Sequence, residues 1–227
     1  MKRIAFTVLL LVLLLLFSSL SVLAETSDVI GEHMEMIALT FDDGPHPGNT
    51  GRILDVLNKY GVRGTFFVLG CNALYYPAPL KRAIREGHEI ENHSFDHKTM
   101  NKSPAELADE IERTAGIINS LSGRRSRYFR PPEGKCPPAL SEALKTLGYE
   151  AVFWTIDSQD WRGKSPDRIV ESVLGSVRGN DVILFHDYTC PNGNTVLALD
   201  KLIPELLRRG YRFVTVEELK NKTASLN

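Results

Sequence analysis

From Met36 onward, short apolar runs alternate with segments whose apolar residues recur every three or four positions. The runs predict strands at Met36–Phe41 (MIALTF), Gly64–Gly70 (GTFFVLG), His88–His93 (HEIENH) and Arg127–Arg130 (RYFR). Further runs at Glu150–Ile156 (EAVFWTI), Asp181–His186 (DVILFH) and Tyr211–Val216 (YRFVTV) complete a set of seven. The periodic segments predict helices over 50–61, 79–88, 103–123, 137–148, 165–177 and 195–210. The third opens on Ser103, Pro104 and Glu106, a capping box with proline in the first turn. Regular strand–helix alternation argues for a parallel sheet covered by helices. A closed or nearly closed barrel and an open doubly wound sheet both fit. No Gly-x-Gly-x-x-Gly turn is present, which removes the simplest dinucleotide-binding case.

In parallel α/β folds, sites gather at the carboxyl ends of the strands. Those ends carry Asp42 and Asp43, His93 and His97, Arg130, Asp157 and Asp160, and His186 and Asp187. These side chains are expected to converge on one rim. His93 and His97, four residues apart, suit two neighbouring positions on one metal ion, and an acid from the first strand tip completes a two-His-one-carboxylate set. The adjacent pair Asp42-Asp43 then has a rationale. A divalent cation offsets their repulsion, one acid binds it, and the other takes a proton from water. Gly44 and Pro45 supply the turn that exposes both.

The residues before Met36 read differently. Lys2 and Arg3, an apolar run, and small residues up to Ala24 form a secretory signal over residues 1–24, cleaved after Ala24. An uncleaved anchor is the competing reading, because Ile4–Leu23 is about long enough to span a bilayer. Residues 25–33 read as a linker and 34–227 as one domain. Loss of Lys2 and Arg3 would leave 25 basic against 28 acidic residues, a balance of −3. With no basic run, nucleic acid is not an expected partner. The reading is of an exported or cell-surface monomer, touching membrane only if the first segment stays attached. Three cysteines are too few for a disulfide scaffold. Cys136 and Cys190 are the pair if one forms, and three unpaired thiols are the alternative.

Five motifs in order, TFDDGP, HSFDH, RPPEG, DSQDW and LFH, resemble those of the NodB-homology polysaccharide deacetylases, carbohydrate esterase family four. The resemblance runs from about Met36 to Leu219. It implies a distorted barrel of seven strands, a divalent metal and removal of acetyl groups from N-acetylated sugars or from xylan. By resemblance Asp42 is the general base, Asp43, His93 and His97 are the metal ligands, and Arg130 pairs with Asp42. His186 is the general acid, oriented by Asp157 or Asp160. Pro131, Glu133 and Trp161 belong to the sugar pocket. Zn²⁺ suits the ligand set, with Co²⁺, Mn²⁺ or Ni²⁺ able to substitute. The acetylated polysaccharide is expected to be peptidoglycan, with chitooligosaccharide and acetylxylan as alternatives.

Two positions depart from the pattern. Glu133 stands where the family has tyrosine, although its backbone N–H, the expected oxyanion donor, is retained. Glu91 stands where a small residue is usual. Both acids are expected near the metal, tuning which polymer binds. A catalytically impaired glycan-binding relative is the alternative that Glu133 raises. His33, His46 and His88 read as linker, loop and strand residues, with His46 at the pocket edge.

Overall fold

The computed structural model describes residues 35–188 and 193–225. The signal and linker expectations, His33 and Cys190 lie outside these residues. The described residues form eight strands: β1 Met36–Asp42, β2 Thr65–Val68, β3 Glu89–Asn92, β4 Tyr128–Phe129, β5 Glu150–Ala151, β6 Ile156–Asp157, β7 Val182–His186 and β8 Arg212–Phe213. The helices are α1 Asn49–Lys59, α2 Gly70–Tyr75, α3 Pro77–Arg85, α4 Pro104–Ser122, α5 Pro138–Leu147, α6 Pro166–Leu174, α7 Asn194–Arg208 and α8 Val216–Ser225. Helix α4 starts with the capping box expected of it, Ser103 accepting from the Glu106 N–H and Glu106 reaching back to the Ser103 N–H.

The strands pair in parallel in the order β5-β4-β3-β2-β1-β7-β6, with β8 also on β1. The stretch EAVFWTI, expected to be one strand, supplies both edges of this path. Its first residues pair with β4 and its last with β7. Laid flat, seven strands would set the outer two about 29 Å apart. The chain from Ala151 to Ile156 reaches at most about 18 Å. The sheet must therefore curl, and it forms a half-barrel wrapped by helices.

Alternation along the strands sorts the side chains. Ile37, Leu39 and Phe41 face the helices in one core with Ile53, Leu57, Phe185 and Leu202. Each such fully buried side chain contributes about 1.5–3 kcal/mol relative to exposure. Met36 and Ala38 belong to a second core with Phe67, Tyr128 and Val214. Thr40 and Asp42 continue this inner register, so period two alone aims Asp42 into the mouth of the half-barrel. The same parity carries His93, Arg130, Leu184 and His186.

Candidate active site

Asp42 ends β1 beside His186, which ends β7. Arg130, fully buried, donates to Asp42 Oδ1 at 2.8 Å and to Thr40 Oγ1 at 2.7 Å, while its guanidinium lies 4.0 Å over the Phe67 ring. It also meets the carbonyls of Val152 and Phe153. The guanidinium thus has several partners to replace lost water, which a buried charge requires.

Period two would send Asp43 to the helix side. Its φ of 76° turns the chain back, so both acids reach the same rim. Positive φ recurs at Ser94, His97, Glu133 and Gln159, all in strand-tip loops of this rim, and such conformations gather where a site fixes the backbone. The turn is tightly held. Asn72 donates to the Asp43 carbonyl at 2.7 Å. Asp187, buried, accepts from Thr50 at 2.5 Å and presses on Gly44, where a Cβ would lie 2.1 Å from its carboxylate. Only glycine fits there.

Asp43, His93 and His97 bring three ligand atoms within 4.8 Å of one another. Asp43 Oδ1 stands 3.4 Å from His93 Nε2 and 3.5 Å from His97 Nε2. These separations are long for hydrogen bonds but match the edge of a tetrahedron around Zn²⁺, about 3.4 Å. Asp43 Oδ1 is buried and has no hydrogen-bond partner among the described residues. His93 Nδ1 lies 2.7 Å from the Arg130 carbonyl, which fixes the proton there and turns the Nε2 lone pair toward Asp43. Burial would raise the Asp43 carboxyl, but His93, His186 and His97 hold it below its usual value. Burial works against a charged His93, yet Asp42 and Asp43 outweigh it and raise its pKa. His97 is held low by burial and by His93. The donor set, the orphaned oxygen and the crowding of two acids all fit a divalent cation.

Across the mouth, His186 Nδ1 lies 2.8 Å from Asp160 Oδ1. Asp160 is buried and is further held by the His186 N–H and the Thr195 hydroxyl. Burial would depress His186, but the Asp160 carboxylate, helped by Asp42 and Asp43, lifts it to about 9. Asp160 is therefore the aspartate that orients His186. Asp157 accepts from the Gln159 N–H and lines the cavity wall instead.

The cavity enclosed by these groups has a volume of about 580 Å³. Trp161 and Glu133 line it as expected. Pro131 is buried and does not line it. The Glu133 side chain meets Lys135 at 2.6 Å at the exposed rim. Trp154, Lys135 and Leu184 also line the cavity and were not anticipated. Leu184 was within reach of the sequence, lying two residues before His186 on the inner register; Trp154 sits in the connection between the two sheet edges. Glu91 is a correction. Its carboxylate turns away from the metal ligands to accept from the N–H groups of Arg127 and Tyr128, and it lines a separate cavity at the amino ends of β3 and β4. His46 accepts from the Gly48 and Asn49 N–H groups and packs edge-on against Tyr188. Among the described residues no helix is long and apolar enough to cross a membrane.

Comparison with known proteins agrees with this geometry. Residues 31–152 match the polysaccharide deacetylase family model. The chain is 37% identical over 85% of its length to the peptidoglycan-N-acetylmuramic acid deacetylase PdaC of Bacillus subtilis, spanning 40% of that protein. It is 37% identical over 82% of its length to a peptidoglycan-N-acetylglucosamine deacetylase of Bacillus cereus, spanning 88% of it. The solved PdaC structure superposes with a TM-score of 0.77 at 36% identity, covering 85% of this chain and 93% of that one. A family 4 acetyl xylan esterase from Clostridium thermocellum, solved with a cobalt ion, superposes with a TM-score of 0.79 at 35% identity, covering 84% and 92%. The chain belongs to the polysaccharide deacetylases, the metal-dependent hydrolases of carbohydrate esterase family four.

Proposed function

We propose that the protein removes N-acetyl groups from cell-wall glycan, peptidoglycan foremost, with a divalent cation held by Asp43, His93 and His97. The observation that carries this reading is the pairing of that ligand set with an acid and a base on adjacent strand tips. Zn²⁺ is the ion that two imidazoles and one carboxylate favour. When bound, it acidifies water and polarises an acyl oxygen. Asp42, pinned by Arg130, takes the proton from the attacking water. His186 gives a proton to the departing nitrogen, which an amide requires because its anion is a very poor leaving group. The Asp160 contact fixes the Nδ1 proton, leaving Nε2 as the donor into the cavity. The Glu133 backbone N–H is the oxyanion donor, a role independent of its side chain. Trp154, Trp161 and Leu184 form the apolar wall against the sugar.

The names of the relatives support cell-wall glycan as substrate, and the N-terminal pattern supports export of residues 25–227 after cleavage following Ala24. Metal-replete protein should release acetate from peptidoglycan, with free amines detected by mass spectrometry of the product sugars. Chitooligosaccharide and acetylxylan serve as parallel substrates. Release from acetylxylan alone would overturn the amide reading, and release from none would leave a glycan-binding relative.

A further inference from the structure

A polymer substrate extends beyond one cavity, and a second groove lies close to the catalytic turn. It measures about 550 Å³ and is bounded in part by Pro47, Tyr75, Tyr76, Pro79, Arg82 and Arg85. Two links tie it to Asp43. Pro47 follows Asp43 by four residues, at most about 14 Å of chain. Asn72, which holds the Asp43 carbonyl, lies one helical turn before Tyr75 on α2.

The groove is dressed for contact. Tyr75 is 75% exposed and the neighbouring Leu74 55% exposed, an uncommon outlay of apolar surface. The Tyr75 and Tyr76 ring centres stand 6.5 Å apart. Tyrosine offers a large rigid face with few torsions to freeze, and a pyranose ring presents a matching face of C–H groups. The charge is selective. Arg82 is engaged by Asp55 and Glu86. Arg85 is exposed and has no ion pair among the described residues. The groove therefore offers an uncommitted cation beside two aromatic rings.

We propose that this groove is an extension subsite for an anionic glycan chain. Sugars flanking the one being deacetylated stack on Tyr75 and Tyr76, and Arg85 pairs with a carboxylate carried by the chain. The identity of the chain rests on the deacetylase reading above.

The test compares Y75A/Y76A and R85E with the unaltered protein on three substrates: triacetylchitotriose, hexaacetylchitohexaose and solubilised peptidoglycan strands bearing their carboxylates. For Y75A/Y76A, KM should rise about tenfold on both long chains with kcat unchanged, and the trimer should show no change. R85E should raise KM on the anionic strands alone, and the effect should fade at high salt. Equal losses on trimer and long chains, or no change on any, would overturn the subsite. Co-sedimentation with purified cell-wall sacculi gives a readout independent of turnover. Both variants should leave more protein in the supernatant, and unchanged binding would reject the proposal. If the unaltered protein releases no acetate from any substrate, the deacetylase reading fails, while sedimentation still decides the groove.

Discussion

Both ends of the half-barrel bury a pair of acids, and they treat them in opposite ways. At the carboxyl end, Asp42 and Asp43 are met by a guanidinium and three imidazoles. At the amino end, Glu89 and Glu91 meet mainly neutral donors: the Thr65 hydroxyl and Glu217 N–H for the first, the Arg127 and Tyr128 N–H groups for the second. Burial, reinforced by Glu89, pushes Glu91 up to about 9, so it keeps its proton at neutral pH. His88 nearby is driven the other way by burial, to about 4, and stays neutral. Residue type alone does not make a reactive acid. Cations touching the acids at one end keep charge available for chemistry; at the other, arginines line the cavity but none bonds to Glu89 or Glu91 among the described residues, and burial makes Glu91 a neutral structural group.

Substitutions at the two ends should differ accordingly. The largest effect belongs to Asp43. D43N keeps the shape but removes the ligand charge, and acetate release should fall by at least about a thousandfold. A loss under tenfold would show that Asp43 does not hold the ion. Arg130 comes next. R130M strands Asp42 in a buried position without its counter-charge, and denaturant melts should register a loss of about 3–5 kcal/mol. Wild-type stability in R130M would mean that Asp42 finds its compensation elsewhere.

A smaller and more selective effect is expected at Asp160. Because His186 must be protonated to donate, turnover should decline as pH rises through about 9. D160N removes the main group lifting that value and leaves only Asp42 and Asp43 to oppose burial. The alkaline limb should move to lower pH, and kcat should fall most on the alkaline side. A pH profile identical to that of the unaltered protein would remove His186 from the acid role.

The gentlest change lies at the amino end. Glu91 binds its proton more tightly folded than unfolded, so its contribution to stability is complete below the unfolded value of 4.5 and is lost as pH rises toward about 9. E91Q mimics the protonated side chain. Its Tm should match the unaltered protein near pH 5 and exceed it increasingly up to pH 9, with activity unchanged. A Tm difference independent of pH would show that Glu91 is ionised in the fold.

The contrast also marks what the sequence could and could not reveal. Strand tips were legible because apolar runs end on titratable residues, and alternation carries Asp42, Arg130 and His186 to one side. Glu91 misled because it lies two residues before His93 on the same inner register, and local pattern does not say which neighbour a long side chain will reach. The run EAVFWTI read as one strand because hydrophobicity reports burial, not which partner lies alongside. Trp154, in the crossing between the two edges, therefore could not be assigned to the cavity. The choice between Asp157 and Asp160 needed the third dimension, since Asp157 ends β6, Asp160 lies three residues on, and only Asp160 meets the His186 ring.

The central claim is that Asp43, His93 and His97 together grip one ion that hydrolysis requires. Titrating chelator-treated protein with Zn²⁺ while following acetate release from peptidoglycan tests it directly. Activity should be absent at the start, rise linearly and level off at one ion per chain. Full activity in the metal-free protein, or a plateau unrelated to one equivalent, would contradict the account.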